Sequence, residues 1–350
     1  AMPDWQNPQV VEDNRVPMTA HFETDGLKLT LNGVWDFNWN EHMDARPMDF
    51  YKTTYDASGW DTMPVPGMWE LNGYGDPVYL NVGYAWRGHF ANNPPVPADW
   101  HNYVGQYRKT FTLDENWKGK DVFLHIGSAT SNVRVWINGK EVGYSEDSKL
   151  EARFNITKYV KTGENLIALE IFRWCDGTYL EDQDFFRFFG IFRNVTLYAK
   201  PELHVEDLWA KPELLKDGTG CLGIELKLTM PEGWSGRAEI SLTDKTGKNV
   251  LSHNMLLPGD GKPMPGQDKE NGDYREITAE MEARNVGQVT PWHNHDPYLY
   301  SLLIKLYDEK DELVEVVPYQ IGFRRVEIID KVIYLNGRRL IINGVNRHEW

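Results

Sequence analysis

Short runs of β-branched and aromatic residues, broken at close intervals by Gly, Asn, Asp and Pro, dominate the chain, and helical periodicity is scarce. Such runs predict antiparallel β-sandwiches. The clearest predicted strands of the first half are Asp121–Ile126, Val133–Ile137, Glu141–Tyr144, Asn165–Phe172 and Asn194–Tyr198. Asn138-Gly139 separates two of these runs, and this dipeptide is a strong signal for a two-residue hairpin.

A domain boundary is predicted at Lys200-Pro201, because strand pairing stops there and proline removes a donor from a ladder. The strand-rich segment that follows, residues 202–322, predicts an immunoglobulin-like sandwich. Its clearest strands are Gly223–Thr229, Ala238–Leu242 and Leu299–Leu306. The segment Pro258–Gly266 is rich in turn residues and predicts an exposed loop.

A third piece starts near Phe323, where Val332–Leu335, Asn336-Gly337 and Leu340–Ile342 predict a hairpin. The polar run Asn343–Trp350 then follows an apolar strand. A globular domain does not end in this way, so we expect the sequence to be a piece of a longer protein. The predicted domains are 1–201, 202–322 and 323–350.

Composition and charge exclude several classes of partner. The 350 residues carry a net charge of −15, which repels phosphate backbones and argues against nucleic acid. No segment approaches the roughly 20 apolar residues that span a bilayer, so no membrane partner is predicted. No leader opens this chain, so any export signal is absent or already removed, and we expect a cytoplasmic or periplasmic protein. Cys175 and Cys221 lack the spacing of a zinc site.

Four carboxylates lie within the nine residues Asp176–Asp184, between apolar runs. Such dense charge beside a core is costly unless a partner neutralises it. Asp182 and Asp184 are spaced to bind a hard cation or sugar hydroxyls together. An acidic loop paired with Arg187 or Arg193 explains the spacing equally well, and the two interpretations stay open.

The run Asn343–Glu349 offers an amide, a guanidinium, an imidazole and a carboxylate after an apolar strand. In parallel barrels such positions carry the active site. His348 is therefore a candidate, although a single histidine also commonly satisfies a local hydrogen bond. His348-Glu349 could begin a zinc-protease motif, but the strand-like approach argues against one.

The run Asn343–Glu349 also resembles a signature of glycoside hydrolase family 2. The segment Trp174–Asp184, followed by Gly190–Arg193, is similar to a segment of the family's large β-galactosidases. Related glucuronidases and mannosidases do not look like this at Asp176–Asp184. Further matches follow in order along nearly the whole chain, at Asp4–Pro8, Leu31–Phe37, Pro64–Trp69, Tyr79–Val82, Gly143–Ser148 and Ile321–Arg324.

The resemblance implies an all-β chain, with a jelly-roll sugar-binding sandwich and N-terminal arm followed by an immunoglobulin-like sandwich and the first strand of a TIM barrel. It also implies that the full-length protein is a homo-oligomeric, retaining β-galactosidase that hydrolyses terminal non-reducing β-D-galactose residues through a covalent intermediate. The acid/base and nucleophile glutamates would lie beyond Trp350. The chain alone is therefore expected to be inactive.

By the same resemblance, Asn81, Asp184 and His348 correspond to residues of the galactose subsite. Asp184 would also bind Na⁺, and His348 would support the transition state at a ring hydroxyl. A Mg²⁺ site maps onto Asp4, the backbone of Asn7 and Val10, Glu146 and Asp176.

Two departures from the family pattern qualify this mapping. Glu146 stands where the best-known members carry Gln, which adds a negative charge to the cation site. Trp350 follows Glu349 where the family run often continues with His-His-Pro, which leaves the contacts beside His348 in doubt.

Two other functions compete with a glycosidase. One is a non-catalytic carbohydrate-binding protein, and the other is a structural pair of sandwiches without sugar affinity. A downstream barrel with two suitably placed glutamates would identify the enzyme, and measured galactose binding would exclude the structural protein.

Overall fold

The computed structural model describes residues 2–81, 83–88, 93–97, 101–181, 184–257, 262–263 and 274–346. It divides into two compact units. The first comprises Leu27–Ala199 and the N-terminal segment up to Met18, and the second comprises Thr19–Gly26 and Lys200–Val345. The predicted domain limits 1–201, 202–322 and 323–350 stay predictions.

The chain is built almost entirely of antiparallel strands, which confirms the all-β prediction. Within the described residues the helices are single 3-10 turns, at Asp4–Gln6, Met43–Ala45, Glu70–Asn72, Glu115–Trp117 and Asp176–Tyr179. None of the described helices is long and apolar enough to cross a membrane.

The first unit is a sandwich with a seven-stranded and a five-stranded sheet. In spatial order, the larger sheet contains Glu12–Asp13, Lys140–Ser145, Val133–Ile137, Gly163–Phe172, Val104–Leu113, Gly33–Asn40 and Asp61–Val65. The smaller sheet contains Arg15–Val16, Ala152–Asn155, Asp121–Ile126, Val195–Lys200 and Lys28–Thr30. Shorter ladders join Ala129–Thr130, Gly190–Ile191 and Gly67–Met68, and also Phe185–Arg187 and Val78–Leu80.

Large aromatic and branched side chains from both sheets form one core in this unit. Trp69 is fully buried, and its indole N–H donates to the hydroxyl of Tyr107. This bond satisfies both polar groups within the core, where an unpaired donor would be costly. Each large apolar side chain buried in this way contributes about 1.5–3 kcal/mol.

The outer face of the central strand Gly163–Phe172 is covered as well. Ala168 packs with Phe50, and Phe172 stacks on Trp5 with ring centroids 4.1 Å apart. The N-terminal arm and the segment around Phe50 therefore form a second layer over the sheet. Neither of these two segments has a periodic apolar pattern, so the sequence did not predict this second layer.

The predicted Asn-Gly hairpins are both present. Asn138 and Gly139 have φ values of +51° and +78°, and Asn336 and Gly337 have +53° and +78°. Two successive positive φ angles define the type I′ turn, which Asn-Gly adopts at low cost. The returning strand of the second hairpin is Arg338–Arg339 rather than the predicted Leu340–Ile342.

The second unit is a sandwich of two four-stranded sheets around its own core. One sheet contains His204–Leu214, Thr219–Pro231, Tyr274–Gln288 and Lys262–Pro263, and the other contains Asn249–Leu257, Gly236–Thr243, Tyr300–Tyr307 and Leu313–Ile321. The predicted loop Pro258–Gly266 lies mostly outside the described residues.

After the second sandwich, Val326–Ile329, Val332–Leu335 and Arg338–Arg339 form a small antiparallel sheet. Residues 340–346 are described and carry no strand. The start of a barrel in this region stays a prediction.

Candidate functional site

The fold divides the acidic stretch into two ends with different local structures. The first end forms the 3-10 helix Asp176–Tyr179, and Asp184 precedes the strand Phe185–Arg187 at the other end. Asp182 lies outside the described residues. The two ends are therefore two separate candidate sites.

Between these ends, Glu181 has a structural explanation. Burial raises the pKa of its carboxyl, and the charge of Arg187 partly offsets this effect. Arg193 instead donates to the backbone carbonyls of Lys149 and Gly127, at 2.6 and 3.5 Å. The charge of Arg187 thus acts on Glu181, and the interpretation of the stretch as an acidic loop paired with an arginine stays a prediction.

At the second end, strand register brings two of the predicted sugar-binding residues together. The strands Val78–Leu80 and Phe185–Arg187 pair in antiparallel orientation. In this pair Phe185 lies opposite Leu80. Extending that register by one position sets Asn81 opposite Asp184. The hydroxyl of Tyr79 donates to Oδ1 of Asp184 at 3.0 Å.

Two exposed aromatic rings adjoin this carboxylate. Tyr79 and Phe186 are 53% and 39% exposed, and their ring centroids are 5.1 Å apart. Exposed rings beside a carboxylate and an amide are suited to a sugar, whose ring carries both apolar C–H faces and hydroxyls. We name Tyr79, Asn81, Asp184 and Phe186 the ribbon site.

The first end belongs to a buried group of possible metal ligands. One ligand atom each from Glu146, Cys175 and Asp176 lies within 4.8 Å of the others. Burial, followed by the hydrogen bond that protonated Glu146 donates to Asp176, raises the pKa of Glu146 to about 9, and the hydroxyl of Tyr144 donates to its Oε1 at 2.7 Å. Oδ1 of Asp176 has no hydrogen-bond partner among the described residues. We name Glu146, Cys175 and Asp176 the buried cluster.

Asp4, predicted as another ligand of this cation, is held elsewhere by an ion pair. Its carboxylate accepts from the guanidinium of Arg134, which also bonds Glu141. Binding the same ion as the buried cluster would require the carboxylate of Asp4 to leave this pair.

The backbone of the N-terminal arm does approach the buried cluster. The N–H of Glu146 donates to the carbonyl of Val11 at 3.0 Å, one residue after the predicted ligand Val10. The carbonyl of Asn7 accepts from the N–H of Val10 at 2.8 Å, so these two predicted ligands share one turn. His348, the remaining predicted site residue, lies outside the described residues.

A further titratable group, Glu70, lies in the first unit and was not predicted from the sequence. Its Oε2 accepts from the backbone N–H of Phe189 at 3.0 Å, and burial raises its pKa from 4.5 to about 7. A carboxyl whose pKa is raised on folding lowers stability as pH rises from about 4.5 to 7, because the unfolded chain loses the proton first.

We therefore expect Glu70→Gln to stabilise the chain by roughly 2 kcal/mol at pH 8 and to have little effect at pH 4.5. The amide oxygen of the glutamine can still accept the hydrogen bond from the N–H of Phe189, and the side chain no longer carries a buried charge. Urea unfolding at both pH values measures this difference, with the exposed Glu115→Gln as control. An equal effect of Glu70→Gln at the two pH values would contradict the assignment.

Sequence reasoning missed several residues that shape the two sites. Tyr79 could have been found, since it lies two residues before Asn81 and strand residues at this spacing share a face. Cys175 adjoins Asp176 but lacks any metal-binding spacing. The ion pair of Arg134 with Asp4 joins positions 130 residues apart, which no local pattern reveals.

A sandwich with exposed aromatic, carboxylate and amide groups, followed by a second sandwich, is typical of the accessory domains of carbohydrate-active enzymes. Residues 28–201 match "Glycosyl hydrolases family 2, sugar binding domain", and residues 203–324 match "Glycosyl hydrolases family 2". The chain therefore belongs to glycosyl hydrolase family 2. The predicted order, a sugar-binding sandwich followed by an immunoglobulin-like sandwich, is confirmed.

The curated relatives of the chain include β-galactosidases and β-galactosidase large subunits. The chain is 38% identical to the "Beta-galactosidase large subunit" of Lactobacillus acidophilus, with 93% of this chain and 51% of that protein covered. It is 40% identical to the "Beta-galactosidase" of Streptococcus thermophilus, with 93% and 30% covered. The chain thus spans about half or less of the length of these relatives.

A solved structure shares the fold. The β-glucuronidase of Bacteroides uniformis has a TM-score of 0.71 at 21% identity, with 92% of this chain and 35% of that chain covered. At this identity the match establishes the fold alone.

Proposed function

We propose that the chain is the N-terminal part of a retaining β-galactosidase that hydrolyses terminal non-reducing β-D-galactose residues. The observation that supports the proposal is the ribbon site, in which Asn81 and Asp184 adjoin the paired strands Val78–Leu80 and Phe185–Arg187 and Tyr79 donates to Asp184. The curated relatives named β-galactosidase support galactose over glucuronic acid as the sugar.

In this proposal Asn81 and Asp184 bind hydroxyls of the galactose ring. An amide and a carboxylate accept hydrogen bonds from hydroxyls, and a hydroxyl with the wrong configuration leaves one of them unpaired. Tyr79 orients the carboxylate of Asp184 through its hydrogen bond. His348 is proposed to support the transition state at a ring hydroxyl.

The chain binds and positions the sugar but does not break the glycosidic bond. Retention requires an acid/base and a nucleophile carboxylate about 5 Å apart on either side of that bond. The proposal assigns both to glutamates of a barrel beyond residue 350. The sandwiches would supply one wall of the active site.

The proposal includes two cations. Asp184 would bind Na⁺ close to the sugar, since a carboxylate is a suitable ligand for a hard cation. Glu146 and Asp176 fit Mg²⁺ by donor type, together with backbone oxygens of Asn7 and Val10. Asp4 would join them only after releasing Arg134.

The full-length enzyme is proposed to be a homo-oligomer in the cytoplasm or the periplasm. The name "large subunit" of the Lactobacillus acidophilus relative supports an assembly of more than one chain.

Two proteins assayed separately, the full-length protein and residues 1–350, test the proposal. The full-length protein should hydrolyse a nitrophenyl β-galactoside in preference to the β-glucuronide, and residues 1–350 alone should hydrolyse neither. Preference for the glucuronide would contradict the proposed substrate, and strong hydrolysis by residues 1–350 would contradict the assignment of catalysis to a downstream barrel. Sugar binding by a full-length protein without any hydrolysis would identify a non-catalytic carbohydrate-binding protein.

A further inference from the structure

The buried cluster contains a sulfur donor that the Mg²⁺ proposal does not use. Sγ of Cys175 lies within 4.8 Å of carboxylate oxygens of both Glu146 and Asp176, and all three residues are buried. Mg²⁺ prefers oxygen ligands in octahedral geometry and retains several waters. A thiolate beside two carboxylates favours a softer divalent ion such as Zn²⁺ or Cd²⁺.

One carboxylate oxygen of the cluster lacks a partner in the described part of the chain. Asp176 is 8% exposed, and its Oδ1 accepts no hydrogen bond there. A buried carboxylate oxygen without a donor costs free energy that a bound cation would recover. This oxygen is an indication of a ligand that does not depend on the presence of the cysteine.

Gly177 borders the cluster on the side of Glu146 and Cys175. A Cβ atom at this position would lie 3.4 Å from Oε2 of Glu146 and 3.5 Å from Sγ of Cys175. Both are ordinary van der Waals distances, so Gly177 borders two of the donors without crowding them. A tetrahedral zinc site sets its donor atoms about 3.5 Å apart, so an approach of about 1 Å closes the cluster around an ion.

We infer that Glu146, Cys175 and Asp176 form a binding site for a thiolate-preferring divalent cation of the Zn²⁺ class. On binding, the thiol of Cys175 and the carboxyl of Glu146 each lose a proton to the solvent, and Sγ and the carboxylate oxygens donate electron pairs to the metal. The carboxylates of Glu146 and Asp176 bring the number of protein ligands to three. Water or a backbone oxygen takes the fourth coordination position. The inference replaces Mg²⁺ by a softer ion at the location of the proposed Mg²⁺ site, and it does not depend on the galactosidase activity.

Cd²⁺ is the probe, because its bond to a thiolate produces an ultraviolet charge-transfer band. Cd²⁺ is titrated into metal-free chain carrying Cys221→Ser, which removes the other free cysteine. We expect a saturable band and a rise in melting temperature, neither of them reversed by excess Mg²⁺. Zn²⁺ should compete with Cd²⁺ for the site.

Two variants in the Cys221→Ser background identify the ligands. Cys175→Ser should abolish the band and weaken Zn²⁺ binding at least about tenfold, since even outer-shell changes cost roughly 10- to 100-fold in affinity. Gly177→Ala keeps every ligand, and its methyl group would meet two of them only at ordinary van der Waals distance, so this matched control should retain the band. Circular dichroism checks that each variant is folded.

A band that persists in Cys175→Ser, or no band in the folded Cys221→Ser chain, would overturn the inference. Stabilisation by Mg²⁺ with no response to Cd²⁺ or Zn²⁺ would also overturn it, while supporting the Mg²⁺ of the proposed function. Hydrolysis of galactosides is measured separately, so its failure leaves this result unaffected.

Discussion

Replacing Asp184 with alanine in the full-length enzyme is expected to lower kcat/KM for a nitrophenyl β-galactoside about 10- to 100-fold. A hydrogen bond to a charged group contributes roughly 1.5–3 kcal/mol, which corresponds to this range. Because Asp184 is also the proposed Na⁺ ligand, the variant should lose its dependence on sodium. Initial rates measured while Na⁺ replaces K⁺ at constant ionic strength test both effects.

Tyr79→Phe is the matched control for this variant. It removes only the hydroxyl that donates to Oδ1 of Asp184 and leaves the carboxylate in place. We expect a loss of less than about tenfold, with the sodium dependence retained. If Asp184→Ala keeps both its kcat/KM and its response to sodium, the assigned role is wrong.

Local signals predicted the strands and turns of this fold well. Asn138-Gly139 and Asn336-Gly337 both need positive φ at two successive positions, and few other dipeptides accept this conformation. The cover over the strand Gly163–Phe172 was not predictable. It comes from irregular segments around Trp5 and Phe50, whose apolar residues follow no period.

The sequence predicted which types of residue form the two candidate sites, but it did not predict how the fold arranges them. The acidic stretch predicted a cation or sugar-hydroxyl site, but spacing could not separate Asp176 from Asp184. The pairing of Phe185–Arg187 with Val78–Leu80 brings the ends of two strands together, next to Asp184 and Asn81, and no local pattern connects these distant positions. Likewise, the N-terminal Asp4 was expected beside Asp176, and only the folded chain reveals the competing guanidinium of Arg134.

The second unit contains a buried charge network whose disruption should have the largest effect on stability. Glu206 accepts from Nζ of Lys200 at 3.3 Å and bonds Nε2 of His204 at 2.6 Å. Nδ1 of His204 lies 2.6 Å from the carbonyl of Pro201, so both ring nitrogens face acceptors. These residues are at most 9% exposed, and Glu315 adds a second buried carboxylate that accepts from the N–H of Val205.

Glu206→Gln is expected to lower the free energy of unfolding of the second unit by about 3–5 kcal/mol. The amide has one acceptor and one donor, whereas Lys200 and His204 both present donors, so one contact becomes repulsive. Glu239→Gln is the control, since Glu239 is more exposed and pairs with Arg237 and Lys305 at 3.6 and 3.7 Å. A surface pair of this kind contributes about 1 kcal/mol or less.

Urea unfolding of residues 1–350 compares the two variants, and the transition that Glu206→Gln shifts belongs to the unit containing Glu206. The difference should appear in the midpoint with the slope unchanged, because both variants keep the volume of the side chain. Removing one member of a buried network leaves the other charges desolvated and unpaired, whereas water replaces a lost partner at the surface. Equal midpoints for the two glutamines would mean that water reaches Glu206 as readily as Glu239, and the network would then contribute no more than a surface pair.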